Sequence, residues 1–254
     1  MYFNDVFIGY YVLVVFIGFF IGKIVAWCNI RMPEKKKIFS KEFFEENKKG
    51  LKLNYFFMIL TAVLYALLLY KFGINREDFF ANMELIKFLI LVPMLLLVFF
   101  IDIEHRIIPN RLNLTIFEIG LVVTFIYGIS YVNKARDYIL GMLLGAGIFL
   151  AITFLGKIIS GKESMGFGDV KFMGAIGLFY GINGILDISL GAFFFGAIAS
   201  IFILIYRFAI IKSKDEYISF GPFLSATALA CMFLGSGTIL QIFMDFCRLI
   251  STKL

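Results

Sequence analysis

The sequence predicts an all-α, polytopic membrane protein of about eight transmembrane helices, and three observations carry that prediction. Hydrophobic residues make up 61% of the chain and charged residues 17%, an apolar share well above that of an ordinary water-soluble domain. The apolar residues come in runs of roughly 20, the length at which a helix crosses a bilayer core with its backbone bonds satisfied internally. Lysine and arginine gather in every second connection between those runs, the asymmetry that sets orientation in a membrane.

The first run, MYFNDVFIGYYVLVVFIGFFIG, has neither a basic leading stretch nor a small-residue cleavage site. Residues 6–27 are therefore expected to span the membrane and not to be removed as a signal peptide. Further spans are expected at 54–72, 85–101, 112–132 and 138–160. The next segment, 170–185, contains VKFMGAIGLFYGING and is short and glycine-rich, which suits a helix packed closely on its neighbours. A span at 188–211 follows. The last region, 220–245, is interrupted by Gly235, Ser236 and Gly237, giving either one tilted helix or a helix followed by an interfacial segment. No repeat and no proline- or serine-rich linker divides the chain, so 1–254 is expected to form one domain. Residues 31–52 are its sizeable polar piece, and their lysines, glutamates and paired Phe43 and Phe44 suit an amphipathic strip on the bilayer surface.

Sixteen lysines and arginines fall in RMPEKKKIFSKEFFEENKKGLK, EHRIIPNR, GKIISGKESMGFGDVK and YRFAIIKSK, against Lys71, Arg76, Lys87, Lys134 and Arg136 in the opposite connections. The first set is expected to be cytoplasmic, with the N-terminus outside. The net charge of +6 is accounted for by this orientation signal and by contact with anionic lipid, so the bilayer is the expected partner and nucleic acid is not. Cys28, Cys231 and Cys247 are widely spaced within apolar segments, a pattern with neither a disulfide framework nor a metal site; they are expected to be packing residues.

Orientation has a consequence for two aspartates. Asp102 closes LIKFLILVPMLLLVFFID, and Asp169 opens a span after the glycine turn of SMGFGDVKFMG. Both fall at the cytoplasmic ends of their helices. A carboxylate at such a boundary is costly unless it is paired, solvated or used. Two carboxylates in contact cannot both ionise easily and titrate as a unit. Such a pair can activate a water and polarise a scissile carbonyl without a metal or covalent intermediate. Gly166 and Gly168 are expected to allow positive φ and close approach of a substrate strand. From the local residues alone, Asp169 is equally well read as a helix N-terminal residue favoured by the dipole, and Asp102 as a solvated interface residue.

Three motifs together resolve that choice. FFIDIEHRIIPNRLNL, ESMGFGDVKFMGAIGLFYG and YISFGPFLSATALA resemble, in this order, the type IV prepilin leader peptidases, membrane aspartic proteases of the Gly-x-Gly-Asp class. The resemblance covers roughly residues 95–225. It implies that Asp102, six residues ahead of the pair Ile108 and Pro109, is the first catalytic residue and that Asp169 is the second. It further implies supporting or substrate-binding roles for Pro109, Gly166, Phe167, Gly168, Lys171, Gly221 and Pro222. The implied activity is removal of a short basic leader, after a glycine, from prepilin or pseudopilin precursors at the cytoplasmic face of a bacterial inner membrane, without a cofactor or metal. The amino-terminal third departs from the family pattern. GKIVAWCNIRMP keeps Gly22, Arg31 and Pro33 but has Lys23 and Ala26 where the family has Ser and Asn. Residues 31–52, in place of a long loop with two Cys-x-x-Cys pairs, contain no cysteine. They read as a degenerate remnant of the methyltransferase region, where a four-thiolate zinc site cannot form.

Other polar residues have plainer expected uses. His105, the only histidine, is expected to be solvated, Lys23 to snorkel, and Glu118 to pair with Arg111 one face along its helix. Glu163 and Lys171 flank the second motif and can orient Asp169 or bind leader charges. The alternative function is a proton-coupled transporter built on intramembrane acids; a catalytically dead adaptor on the same fold is a third reading.

Overall fold

The structure, a computed structural model, describes residues 2–3, 6–34, 51–75, 78–161, 165–206 and 219–251. Apart from a short antiparallel ladder between β1 (Tyr2–Phe3) and β2 (Val6–Phe7), the regular structure is helical. The helices are α1 (Ile8–Arg31), α2 (Leu51–Phe72), α3 (Phe79–His105), α4 (Asn110–Ser130), α5 (Val132–Ser160), α6 (Phe167–Tyr206), α7 (Gly221–Leu234) and α8 (Thr238–Ser251). Among the described residues six helices, α1 to α6, are long and apolar enough to cross a membrane, or seven spans if α7 and α8, bent by 93°, count as one. The all-α polytopic class expected from composition is what the chain adopts. Most of the cytoplasmic loop expected at 31–52, Glu163, and the basic stretch after α6 lie outside the described residues.

The chain divides into two compact units, Met1–Ile101 and Asp102–Leu254. In the first, glycine lets α1 and α2 touch backbone to backbone: a Cβ at Gly22 would meet Met58 Cα at 2.5 Å, and one at Gly18 would meet Ala62 Cα at 2.8 Å. Small residues at a helix crossing trade side-chain volume for close van der Waals contact, which drives helix association in lipid. The Tyr65 hydroxyl, carried by α2, donates to the Leu89 carbonyl at 2.6 Å, satisfying a polar group that lipid would leave unpaired. At the end of α1 the buried Arg31 lays its guanidinium over the Trp27 ring, 4.3 Å from the centroid.

The second unit contains the element that departs most from expectation. Helix α6 runs for 40 residues, about 60 Å at helical rise and twice the thickness of a bilayer core. It breaks at Gly181, whose φ of 67° and ψ of −168° are not helical. A Cβ on Gly145 of α5 would meet the Met173 carbonyl at 2.6 Å and Ile185 Cδ1 at 3.4 Å. Those neighbours lie on opposite sides of the break, so the arms 167–180 and 182–206 double back along the same stretch of α5. They correspond to the spans expected at 170–185 and 188–211, with the boundary earlier than hydropathy placed it. Apolar content does not fall at the turn, so only the glycine backbone marks it. Asp137 of α5 accepts from the Ile182 N–H at 3.3 Å, and a Cβ at Gly181 would collide with that carboxylate.

The last apolar region is two helices, the second of the two arrangements expected for it. Gly235 and Gly237 take φ of 95° and 91° and turn α8 away from α7. Asp187, fully buried on the returning arm of α6, accepts from Gly237 N at 2.6 Å and Leu240 N at 2.8 Å. It thereby supplies acceptors for N–H groups at the start of α8 that have no partner within the helix.

Candidate active site

Three chain segments converge at one end of the second unit. Helix α3 ends after Asp102, and Arg106 closes it with φ of 57° and its N–H on the Asp102 carbonyl at 3.0 Å. The chain then passes through Ile107 and Ile108 to Pro109, which caps α4 in extended conformation. A proline here suits a helix start, because it fixes φ and has no N–H to leave unsatisfied.

Helix α6 begins directly after Gly166. The Asp169 N–H donates to the Gly166 carbonyl at 3.0 Å, and the Gly166 N–H donates back to the Asp169 carboxylate. The carboxylate supplies the N3 half of a capping box, and the Gly166 carbonyl stands in for the side-chain acceptor that glycine lacks. The capping role available to Asp169 from local sequence is therefore real. It does not exclude another, because the same carboxyl faces a cavity. Neither Gly166 nor Gly168 is among the positive-φ glycines of the described residues, a correction to the expectation for this turn: a helix start needs no left-handed residue. Close approach is visible at Gly168, where a Cβ would contact Ile108 Cβ at 3.5 Å.

The third segment enters α7 through Ser219 and Phe220. Gly221 is the first residue of α7, with Pro222 in its first turn. The Gly221 N–H donates to the Asp102 carboxylate, and the Ser219 hydroxyl donates to Asp102 Oδ2. A Cβ at Gly221 would collide with that carboxylate, so the glycine makes room for Asp102 as well as supplying a donor.

Asp102 and Asp169 are 3% and 9% exposed, and their charges act on each other. Both line a cavity of about 580 Å³, together with Arg106, Ile108, Phe167, Gly168, Lys171 and Ser219 among others. Lys171 Nζ donates to Asn110 Oδ1 at 3.0 Å, and the buried Asn113 donates through Nδ2 to the Gly168 carbonyl at 3.1 Å. Two asparagines of α4 thus tie the Ile-Pro segment to the glycine turn.

The sequence-derived residues gather here, with Pro109 and Pro222 shaping the chain around the cavity. Glu118 is exposed on α4, and His105 is 38% exposed with Nε2 4.0 Å from Glu104. Neither lines the cavity. Ser219, Asn110, Asn113 and Arg106 were not singled out from the sequence. The available signals were a hydroxyl directly ahead of the FGPFL motif and two asparagines one turn apart after Pro109. Among the described residues no three His, Cys, Asp or Glu side chains gather as a metal site.

Residues 89–201 match the model of the type IV leader peptidase family. Over these residues the chain is similar to that family. The match takes in the two aspartates and the glycine turn but ends before Ser219 and Gly221. Among the relatives of this leader peptidase family, the prepilin leader peptidase/N-methyltransferase of Xanthomonas campestris pv. campestris is 29% identical over 71% of the chain and 58% of its own length. The protein of that name in Legionella pneumophila is 32% identical over 71% and 58%, and that in Neisseria gonorrhoeae 25% identical over 66% and 53%. The chain therefore spans little more than half the length of these relatives. No solved structure matches it.

Proposed function

We propose that this protein is a membrane aspartic endopeptidase that removes the leader from prepilin or pseudopilin precursors. The observation that carries the reading is the shared cavity of Asp102 and Asp169, two carboxyls from distant motifs with water-sized space between the elements that hold them. The pair retains one proton, because two adjacent carboxylates repel. Its ionised member takes a proton from water as the oxygen attacks the scissile carbonyl, while its protonated member gives a proton to the carbonyl oxygen. Collapse of the resulting diol breaks the C–N bond. The departing nitrogen takes up the proton that came from water, and a diol hydroxyl returns one to the other carboxylate. Every atom is accounted for by peptide and water alone.

The distribution of Lys and Arg supports a cytoplasmic position for this cavity in a bacterial inner membrane. There the leader of a substrate held by its own apolar helix would reach the pair. Gly168, Phe167 and Lys171 form the wall along which an extended segment would run. Residues 31–52 contain no cysteine, which supports peptidase activity without N-methylation. Transfer of a methyl group from S-adenosylmethionine to a cleaved pilin would overturn that part.

Co-expression with a prepilin carrying its leader tests the reading. Cleavage is expected with the unaltered chain and lost in Asp102→Asn and in Asp169→Asn. Leader removal that persists in both single variants rejects the pair.

A further inference from the structure

We propose that Ser219 is a positioning residue that makes Asp102 the ionised member of the pair and leaves the shared proton on Asp169. The inference rests on the aspartic peptidase reading above and goes beyond it by giving the two carboxyls different tasks.

The two acids are alike in several respects. Each is carried near a helix end, each is buried, and each accepts a backbone N–H from a motif glycine, Gly221 for Asp102 and Gly166 for Asp169. Those matched contacts do not tell the two apart. Ser219 does: its hydroxyl donates to Asp102 Oδ2, and no hydroxyl donor to Asp169 is found among the described residues. A hydroxyl aimed at a carboxylate favours the charged form, because the ionised oxygens accept without competition from a proton. Asp169 is also the acid that accepts from the Gly166 N–H across its own helix start. That contact can be kept by one oxygen while the other holds a proton.

The charged groups facing the pair do not reverse this assignment. Lys171 comes from the same arm of α6 as Asp169 and is engaged with Asn110. Arg106 comes from the turn that follows Asp102. Helix α4 supplies the neutral Asn110 to the cavity wall, and the approach to α7 supplies Ser219 and Phe220, neither of them charged. In the resulting reaction Asp102 is the base that takes the proton of water, and Asp169 is the acid that protonates the carbonyl oxygen.

The test is the pH profile of leader removal by the full chain in proteoliposomes, with a prepilin precursor as substrate. In Ser219→Ala the acid limb of kcat/KM is expected to move up by about one unit, the scale of one hydrogen bond to a charged group. KM should stay within about twofold, and the rate should fall up to about tenfold at pH below the unaltered limb and little at pH above the moved one. Ser219→Thr keeps the hydroxyl and is expected to restore the limb, whereas Ser219→Cys, a weak donor of similar size, is expected to follow alanine. A carboxyl-region infrared titration of the Asp169→Asn protein, with and without Ser219→Ala, reads the same shift at Asp102 without turnover. An unmoved limb and unmoved infrared titration in both the alanine and cysteine variants overturn the role of Ser219, while Asp102 and Asp169 stand if their asparagine variants are inactive. Persistent cleavage in those asparagine variants overturns both readings together.

Discussion

The second unit carries two sets of buried or half-buried aspartates, and they are built differently. Asp137 and Asp187 each meet backbone N–H groups at a helix break: Asp137 at Ile182 beside Gly181, Asp187 at Gly237 and Leu240. Each works alone, and neither lines the cavity that holds Asp102 and Asp169. Asp102 and Asp169 also accept N–H donors, but they share space with one another. An intramembrane acid is thus not a functional residue by its cost alone. On the proposed reading, what separates chemistry from scaffold is whether the carboxyl shares an open cavity with another after its backbone donors are counted.

That contrast breaks most sharply under neutralisation. Asp102→Asn or Asp169→Asn should lower leader cleavage by about 10³-fold or more, since each removes one half of the proposed acid-base pair. Asp187→Asn keeps an oxygen acceptor for the start of α8 and should cleave at the rate of the unaltered chain. Activity lost equally in all three would erase the distinction. A second, smaller effect is expected from Gly221→Ala. The added methyl meets the end of a flexible side chain, the Asp102 carboxylate, so the fold survives while the carboxyl swings off its donors. A displacement of about 1 Å at a reacting group costs on the order of 10²-fold in rate. It should appear in kcat, with the thermal midpoint little changed.

Much of this was legible in the sequence, and the failures have physical causes. Hydropathy found the helices because lipid forces every span to satisfy its own backbone. It missed where α6 turns, because residues on both sides of Gly181 are equally apolar and the reversal is written only in a glycine φ. The two aspartates were visible as polar residues at the ends of apolar runs, and charge in the loops put them at one face. Ser219 was not, since one hydroxyl two residues ahead of a glycine says nothing until Asp102, 117 residues away, is folded against it. Asp187 was absorbed into an apolar run for the same reason: its partners are the N–H groups of Gly237 and Leu240, and no side-chain pattern records a backbone donor. The positive φ expected at Gly166 and Gly168 failed because the turn is a helix start.

Stability gives the reverse of the first contrast. Asp187→Ala leaves the Gly237 and Leu240 N–H groups without their acceptor in a part-buried site. The cost should be about 2 kcal/mol, the scale of a lost cap. Thermal unfolding in detergent should show it as a lowered midpoint, with the specific activity of the folded fraction unchanged at low temperature. A catalytic defect without a stability defect would move Asp187 from scaffold to site.

The smallest effect should come from His105, and its smallness is informative. It sits three residues after Asp102, close enough along a helix for the two side chains to neighbour one another. Yet its side chain is 38% exposed, its Nε2 stands 4.0 Å from Glu104, and it does not line the cavity. A side chain so placed in water should be felt only weakly at the pair. His105→Ala is therefore expected to cleave within about twofold of the unaltered chain, with both limbs of the pH profile in place. A moved limb would bring His105 into the proton balance of the site, and the contrast between shared and solitary groups would have to be redrawn with three members on the shared side.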